Sequence, residues 1–182
     1  RLSYAVMIVL IATMAAWLMA LALHLKPVDF LPLNLSMLQY IVFRLLTSFC
    51  GVFGFSIMFN SPVPLAMSAA IIGAISNTLR LELVDLASLP PAAAAFFAAM
   101  IAGLLASAYK KHSGFPRIAI TVPSIVIMVP GLYLYRAIYN LGMMNLSISA
   151  SWFASATLII LALPLGLIFA RIMTDKMFRY CT

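Results

Sequence analysis

Long apolar runs alternate with short breaks of polar residues and prolines along the chain. A helix that crosses a bilayer needs roughly 20 apolar residues, and six runs approach that length. They are residues 4–25, 38–59, 64–83, 91–109, 118–139 and 152–173. We therefore predict an all-α, polytopic integral membrane protein with about six transmembrane helices. Five is the alternative if the helix of the third run ends near Leu79.

Composition supports this class of protein. Hydrophobic residues make up 65% of the chain and charged residues 8%, whereas soluble domains carry about 25% charge. The chain has no polar stretch long enough for a soluble catalytic domain. Its 11 Lys and Arg residues lie near the ends of apolar runs, without the basic patch and interleaved aromatics that favour nucleic-acid binding. Their distribution favours cytoplasmic termini under the positive-inside rule.

Two stripes of small residues follow helical spacing. Ala95, Ala99, Gly103 and Ser107 recur every four residues in the fourth run, and Ala69, Gly73 and Asn77 form a similar stripe in the third. Helix association in lipid depends on close approach of the backbones, which small side chains permit. The stripes predict tight packing, against each other or against another chain.

The fifth run contains two prolines seven residues apart, Pro123 and Pro130, and the second is followed by Gly131. A proline inside a helix removes a backbone donor and crowds the carbonyl four residues earlier, at a cost of about 3 kcal/mol. We predict a helix break at Pro123, Pro130 and Gly131, and a break at Pro130-Gly131 would place the N-terminus of a half-helix near mid-membrane. Such termini offer free amides and a positive dipole end, typical of carboxylate sites in transporters. The alternative is a kink that only shapes packing.

Polar side chains gather toward the end of the third run. Ser76, Asn77, Thr78 and Arg80 occur together, and an intramembrane arginine normally faces a cavity or a partner, unless it reaches the membrane edge. Tyr135, one turn after Gly131, is a second candidate residue for contact with a solute. Acidic residues fall only at segment ends or in loops, and neither a metal-ligand spacing nor a nucleophile-base set is present. The sequence therefore predicts neither an enzyme nor a bound metal or cofactor.

Four stretches together resemble a known family. They are "GFSIMFNSPVP" at 54–64, "GAISNTLR" at 73–80, "AAFFAAMIAGLLA" at 94–106 and "ITVPSIVIMVPGLYLYRA" at 120–137. The family is the threonine/serine exporters, ThrE, and the likeness is to the C-terminal membrane half or to the small subunit of two-component members. The residues that fall on the family pattern are Asn60, Asn77, Arg80, Pro123, Pro130, Gly131 and Tyr135. Of these, Asn77, Arg80, Pro130, Gly131 and Tyr135 are the predicted substrate-binding residues.

The resemblance implies a function and a setting. It implies secondary export of small carboxylate solutes, either threonine and serine or a dicarboxylate such as succinate, across the bacterial cytoplasmic (inner) membrane. It also implies an oligomeric assembly with a larger ThrE-type subunit or the other half of a fused chain. Residues 38–182 would form the transport module, and residues 1–37 an additional N-terminal transmembrane helix and loop. The rival interpretation is a non-transporting scaffold whose small-residue stripes only hold a partner.

Overall fold

The computed structural model describes residues 2–24 and 36–175, and these ranges contain helices and no strand. The helices are α1 (Leu2–Ala22), α2 (Met37–Met58), α3 (Val63–Asp85), α4 (Pro91–Ser113), α5 (Arg117–Val126), α6 (Gly131–Gly142) and α7 (Leu146–Thr174). The all-α prediction is confirmed.

The described residues contain fewer membrane crossings than the predicted six. Four helices, α2, α3, α4 and α7, are long and apolar enough to cross a bilayer, and α5 with α6 can form a fifth, broken span. The first predicted run does fold as a helix. It is α1, 21 residues long, within which Ile11–Ala22 is a shorter apolar stretch. The alternative in which the third helix ends near Leu79 is wrong, because α3 continues to Asp85.

Local sequence signals explain where several helices begin and end. Ser36 and Gln39 form a reciprocal capping box at the start of α2. Proline occupies the first turn of α3 and of α4, where its missing N–H costs no helical hydrogen bond. Gly114 ends α4 with φ of 70°, a left-handed conformation that glycine adopts without strain.

The helices divide into two compact units. The small unit contains α1, α6 and the part of α7 up to Ala156, and the large unit contains α2 to α5 and the rest of α7. In the large unit α3 is central, because it packs against α2, α4 and α5. The buried residues of α3 include both small residues and polar ones, so this helix brings the candidate polar site into the interior of the unit.

Both small-residue stripes lie at close helix contacts inside the large unit. A Cβ added to Gly103 would lie 2.7 Å from Cβ of Ala170, so the α4 stripe packs against α7. A Cβ added to Gly73 would lie 2.7 Å from Val52 on α2 and 2.9 Å from the Ser124 carbonyl on α5. The tight packing expected from the sequence is therefore present, and much of it is made with helices other than the two that carry the stripes.

Candidate functional site: a broken span and a buried polar seam

The fifth predicted span is broken at Pro130. Helix α5 ends at Val126 and α6 begins at Gly131, with Pro130 at φ −79° and ψ 57°, outside the helical region. The amides of Met128 and Val129 instead turn back to the carbonyls of Ile125 and Val126, at 2.9 and 3.1 Å. The Val126 carbonyl therefore keeps a donor despite the proline ring that follows it. The sequence prediction of a broken fifth helix is confirmed.

The predicted break at Pro123 is wrong, because this proline does not interrupt the helix. It is buried inside α5, which continues for three residues beyond it. The next residue, Ser124, donates its hydroxyl to the Ala69 carbonyl of α3 at 3.0 Å and to the Ile120 carbonyl of its own helix at 2.7 Å. This hydroxyl joins α5 to α3 on the turn that contains Pro123. The backbone of α5 also approaches Gly73 of α3 closely at the same place.

Arg80 reaches the end of α5 from α3. Its Nη1 donates to the carbonyl oxygen of Met128 at 3.2 Å, and Met128 is fully buried. In a continuous helix the amide of Leu132 would bind that carbonyl, so Arg80 supplies a donor that the break has removed. The arginine that the sequence singled out is thus bound to backbone two residues before Pro130.

Asn77 lies one turn before Arg80 and faces α2. Its Nδ2 donates to the hydroxyl of Ser48 at 2.9 Å, and the two residues are only 5% and 3% exposed. Ser48 is not among the site residues predicted from the sequence. The sequence feature that could have indicated Ser48 is its spacing on α2. Arg44, Ser48 and Val52 are four residues apart, and each of them contacts α3.

Three neighbouring polar side chains on α3 are buried, each with an oxygen that has no hydrogen-bond partner among the described residues. These oxygens are Ser76 Oγ, Asn77 Oδ1 and Thr78 Oγ1. At 3.6 residues per turn, Ser76, Asn77 and Arg80 lie within an arc of about 100° around α3, whereas Thr78 lies on the opposite side of the axis. We call Ser48, Ser76, Asn77 and Arg80 the polar seam.

The α2–α3 interface ends in an ion-pair cluster. Arg44 on α2 binds Glu82 at 2.7 Å and also pairs with Asp85, both on α3. The side chains of Arg44 and Glu82 are about one-fifth exposed and that of Asp85 about half. These groups hold the two helices together at the end of α3, where Glu82 and Asp85 lie two and five residues beyond Arg80.

Replacing Arg44 with leucine should lower stability more than export. It leaves two carboxylates without their cation, and partial exposure limits the expected loss to about 1 kcal/mol. The measurement is the apparent Tm of detergent-solubilised protein. Adding Glu82→Gln and Asp85→Asn should recover part of the loss, because neither carboxylate then remains charged. An unchanged Tm in Arg44→Leu would show that the cluster contributes nothing.

In the small unit, Gly131 and Tyr135 line a cavity of about 420 Å³ between α1 and α6. The lining comes from one face of each helix: Ile8, Ala12, Thr13, Ala16 and Trp17 on α1, and Gly131, Leu134, Tyr135, Ile138 and Tyr139 on α6. Trp17 packs directly on Gly142. The wall around Tyr135 is therefore mainly apolar, and α1 forms half of it, which sequence analysis did not anticipate.

Within the described ranges, no group of three or more His, Cys, Asp or Glu residues could hold a metal ion. Bilayer-length apolar helices, a span broken at Pro130 and buried polar side chains define an all-helical integral membrane protein. The family model described as "Threonine/Serine exporter, ThrE" matches residues 44–173, more than half of the chain. The chain belongs to the threonine/serine exporter family, whose members are transporters and not enzymes. No curated protein and no solved structure matches it.

Proposed function

We propose that this chain is the membrane module of a secondary exporter of small carboxylate solutes, with threonine and serine as the first candidates and succinate as the second. The module would work in the bacterial cytoplasmic membrane with its termini on the cytoplasmic side, joined to a larger partner subunit or to the matching half of a fused chain. The observation that carries the proposal is the break before Gly131, with Arg80 bound to the carbonyl of Met128.

The start of α6 is suited to a carboxylate. The first four amides of a helix lack intrahelical acceptors, and the dipole adds partial positive charge at that end. No side chain among the described residues caps α6, whose N-cap is Pro130. In lipid, irregular backbone is tolerated only where it is buried in protein or lines a wet cavity. A carboxylate at this terminus would accept from amides that the break exposes.

Arg80 provides a cationic donor at the end of α5, within the large unit. Its bond to a neutral carbonyl positions the guanidinium beside the end of α5. A carboxylate is a better acceptor than a carbonyl, because charge-assisted hydrogen bonds are shorter and roughly twice as strong. We expect the solute's carboxylate to take over this donor when it binds. The exchange would couple solute binding to the two helices that Arg80 joins, α3 and α5.

Replacing Gly131 with leucine tests the site at the start of α6. No described heavy atom lies within 4 Å of where its Cβ would be, so the variant should fold while the new side chain obstructs the amides. We expect export to fall at least about tenfold, as for the loss of one charge-assisted hydrogen bond. Export is measured as uptake of labelled threonine, serine and succinate by everted vesicles, from cells whose native copy is replaced by the variant.

Gly54→Leu is the matched control, because Gly54 is an exposed helical glycine that also has no described heavy atom near its would-be Cβ. It should insert and export like the wild type. Normal export by Gly131→Leu would contradict carboxylate binding at α6. The scaffold interpretation predicts a different result for deletion of the whole gene. The flux of all three solutes would then stay unchanged, while other membrane proteins would no longer assemble into their complexes.

A further inference from the structure

The polar seam contains acceptors that the folded chain leaves unused. Asn77 Oδ1 and Ser76 Oγ are both buried without a hydrogen-bond partner among the described residues, and the residues are 5% and 0% exposed. A buried polar atom without a partner costs stability, and within the apolar depth of a bilayer water does not readily replace the missing partner. Such atoms in a carrier are candidates for contact with its solute.

The amide of Asn77 is held in place from one side. Its Nδ2 donates to Ser48 on α2, and this leaves Oδ1, which can only accept. Ser76 lies next to Asn77 and four residues, about one helical turn, before Arg80. Acceptor oxygens and a guanidinium therefore share one face of α3, inside the large unit.

A zwitterion fits this arrangement. Its carboxylate would bind the guanidinium of Arg80, and its ammonium, which only donates, would meet Asn77 Oδ1 and Ser76 Oγ. A dicarboxylate fits poorly at Asn77, because its second carboxylate would bring an anionic oxygen against Oδ1, which has no proton to offer, whereas the Ser76 hydroxyl can accept or donate. A site rejects a close analogue of its substrate when binding that analogue would leave a buried polar group of the site without a hydrogen-bond partner.

We propose that Asn77 and Ser76 form an ammonium subsite that makes the module select α-amino acids over dicarboxylates and amine-free acids. This inference rests on the proposed function, since it takes Arg80 as the carboxylate contact. It assigns discrimination to α3, within the large unit.

Asn77→Leu tests the subsite, because leucine has a similar size and neither donates nor accepts. The solutes are threonine, 3-hydroxybutyrate, which is threonine without its ammonium, and succinate, each supplied in labelled form to everted vesicles. We expect threonine uptake to fall at least about tenfold, the loss of a hydrogen bond to a charged group. Uptake of 3-hydroxybutyrate should be unchanged or higher, so the ratio of the two fluxes identifies the effect even if less protein accumulates.

Thr78→Val is the matched control. Thr78 is equally buried on the same helix, with an unpartnered oxygen on the opposite side of the axis, and its valine variant should keep the wild-type flux ratio. An equal fall in all fluxes of Asn77→Leu, or the same ratio change in Thr78→Val, would overturn the subsite. Wild-type preference for succinate over threonine would also overturn it, with carboxylate export intact. Absence of wild-type flux for every solute would instead reject the proposed function and this inference with it.

Discussion

Gly166→Leu should abolish the accumulation of folded protein. A Cβ at this position would lie 2.4 Å from the carbonyl oxygen of Phe96 and 3.0 Å from the amide nitrogen of Met100, both in the α4 backbone. A side-chain neighbour could rotate away, but a helix backbone can yield only if α4 and α7 separate. Overpacking of this kind costs about 1–3 kcal/mol and occasionally more, and leucine adds three further carbons beyond the clashing one.

The measurement is the yield of monodisperse protein by size-exclusion chromatography in mild detergent, with total expression followed by immunoblot. Gly54→Leu is the control for this variant as well. It makes the same substitution at a helical glycine whose added Cβ would have no heavy atom within 4 Å. Wild-type yield of Gly166→Leu would mean that α4 and α7 do not pack through their small residues, and the close contact at Gly103 would lose its support.

The sequence was informative where the deciding interaction is local. The break at Pro130 combines a missing amide, a steric clash with the preceding turn and a glycine immediately after it, all of them local features. Pro123 has the same missing amide without the glycine, and α5 continues through it. The membrane class follows from composition alone. The number of spans could not be fixed in this way, since a run of apolar residues such as 4–25 does not reveal how much of it forms helix at membrane depth.

The contacts of the candidate site required the fold. Ser48 and Asn77 are 29 residues apart, and Arg80 meets a carbonyl 48 residues later. The sequence singled out Asn77 and Arg80 as unusual residues for a membrane helix, but their partners depend on how α2 and α5 pack against α3. Tyr135 was singled out by its spacing from Gly131, whereas its surroundings include the face of α1 that lines the same cavity.

The small-residue stripes show the same limit. Their spacing predicted close approach, and the distances at Gly73 and Gly103 show it. The identity of each partner helix depended on residues elsewhere in the chain. Gly166 and Ala170 on α7, four residues apart, provide the surface that receives α4, and their spacing is itself a small-residue pattern. From the sequence alone, the segment of α7 is predicted only as a further apolar run.

Arg80→Leu should reduce export by about a hundredfold, the upper end for a hydrogen bond to a charged group. The variant removes the cation proposed to bind the solute's carboxylate and also the donor to the Met128 carbonyl. Arg80→Lys keeps the charge but replaces a planar fork with a single ammonium, so we expect it to recover part of the flux. The assay is threonine uptake by everted vesicles, normalised to the amount of folded protein.

Arg44→Leu is the control for Arg80→Leu. It shows whether the loss of export comes from the position of Arg80 or from removing any arginine that contacts α3 or lies on it. Arg44 pairs with carboxylates at the end of α3, so its loss should lower Tm while flux per folded molecule stays near wild type. Arg80→Leu should show the opposite pattern, because Arg80 is the proposed cation for the solute's carboxylate. If Arg80→Leu exports normally once corrected for folded protein, the guanidinium only caps the end of α5, and the carboxylate must bind elsewhere.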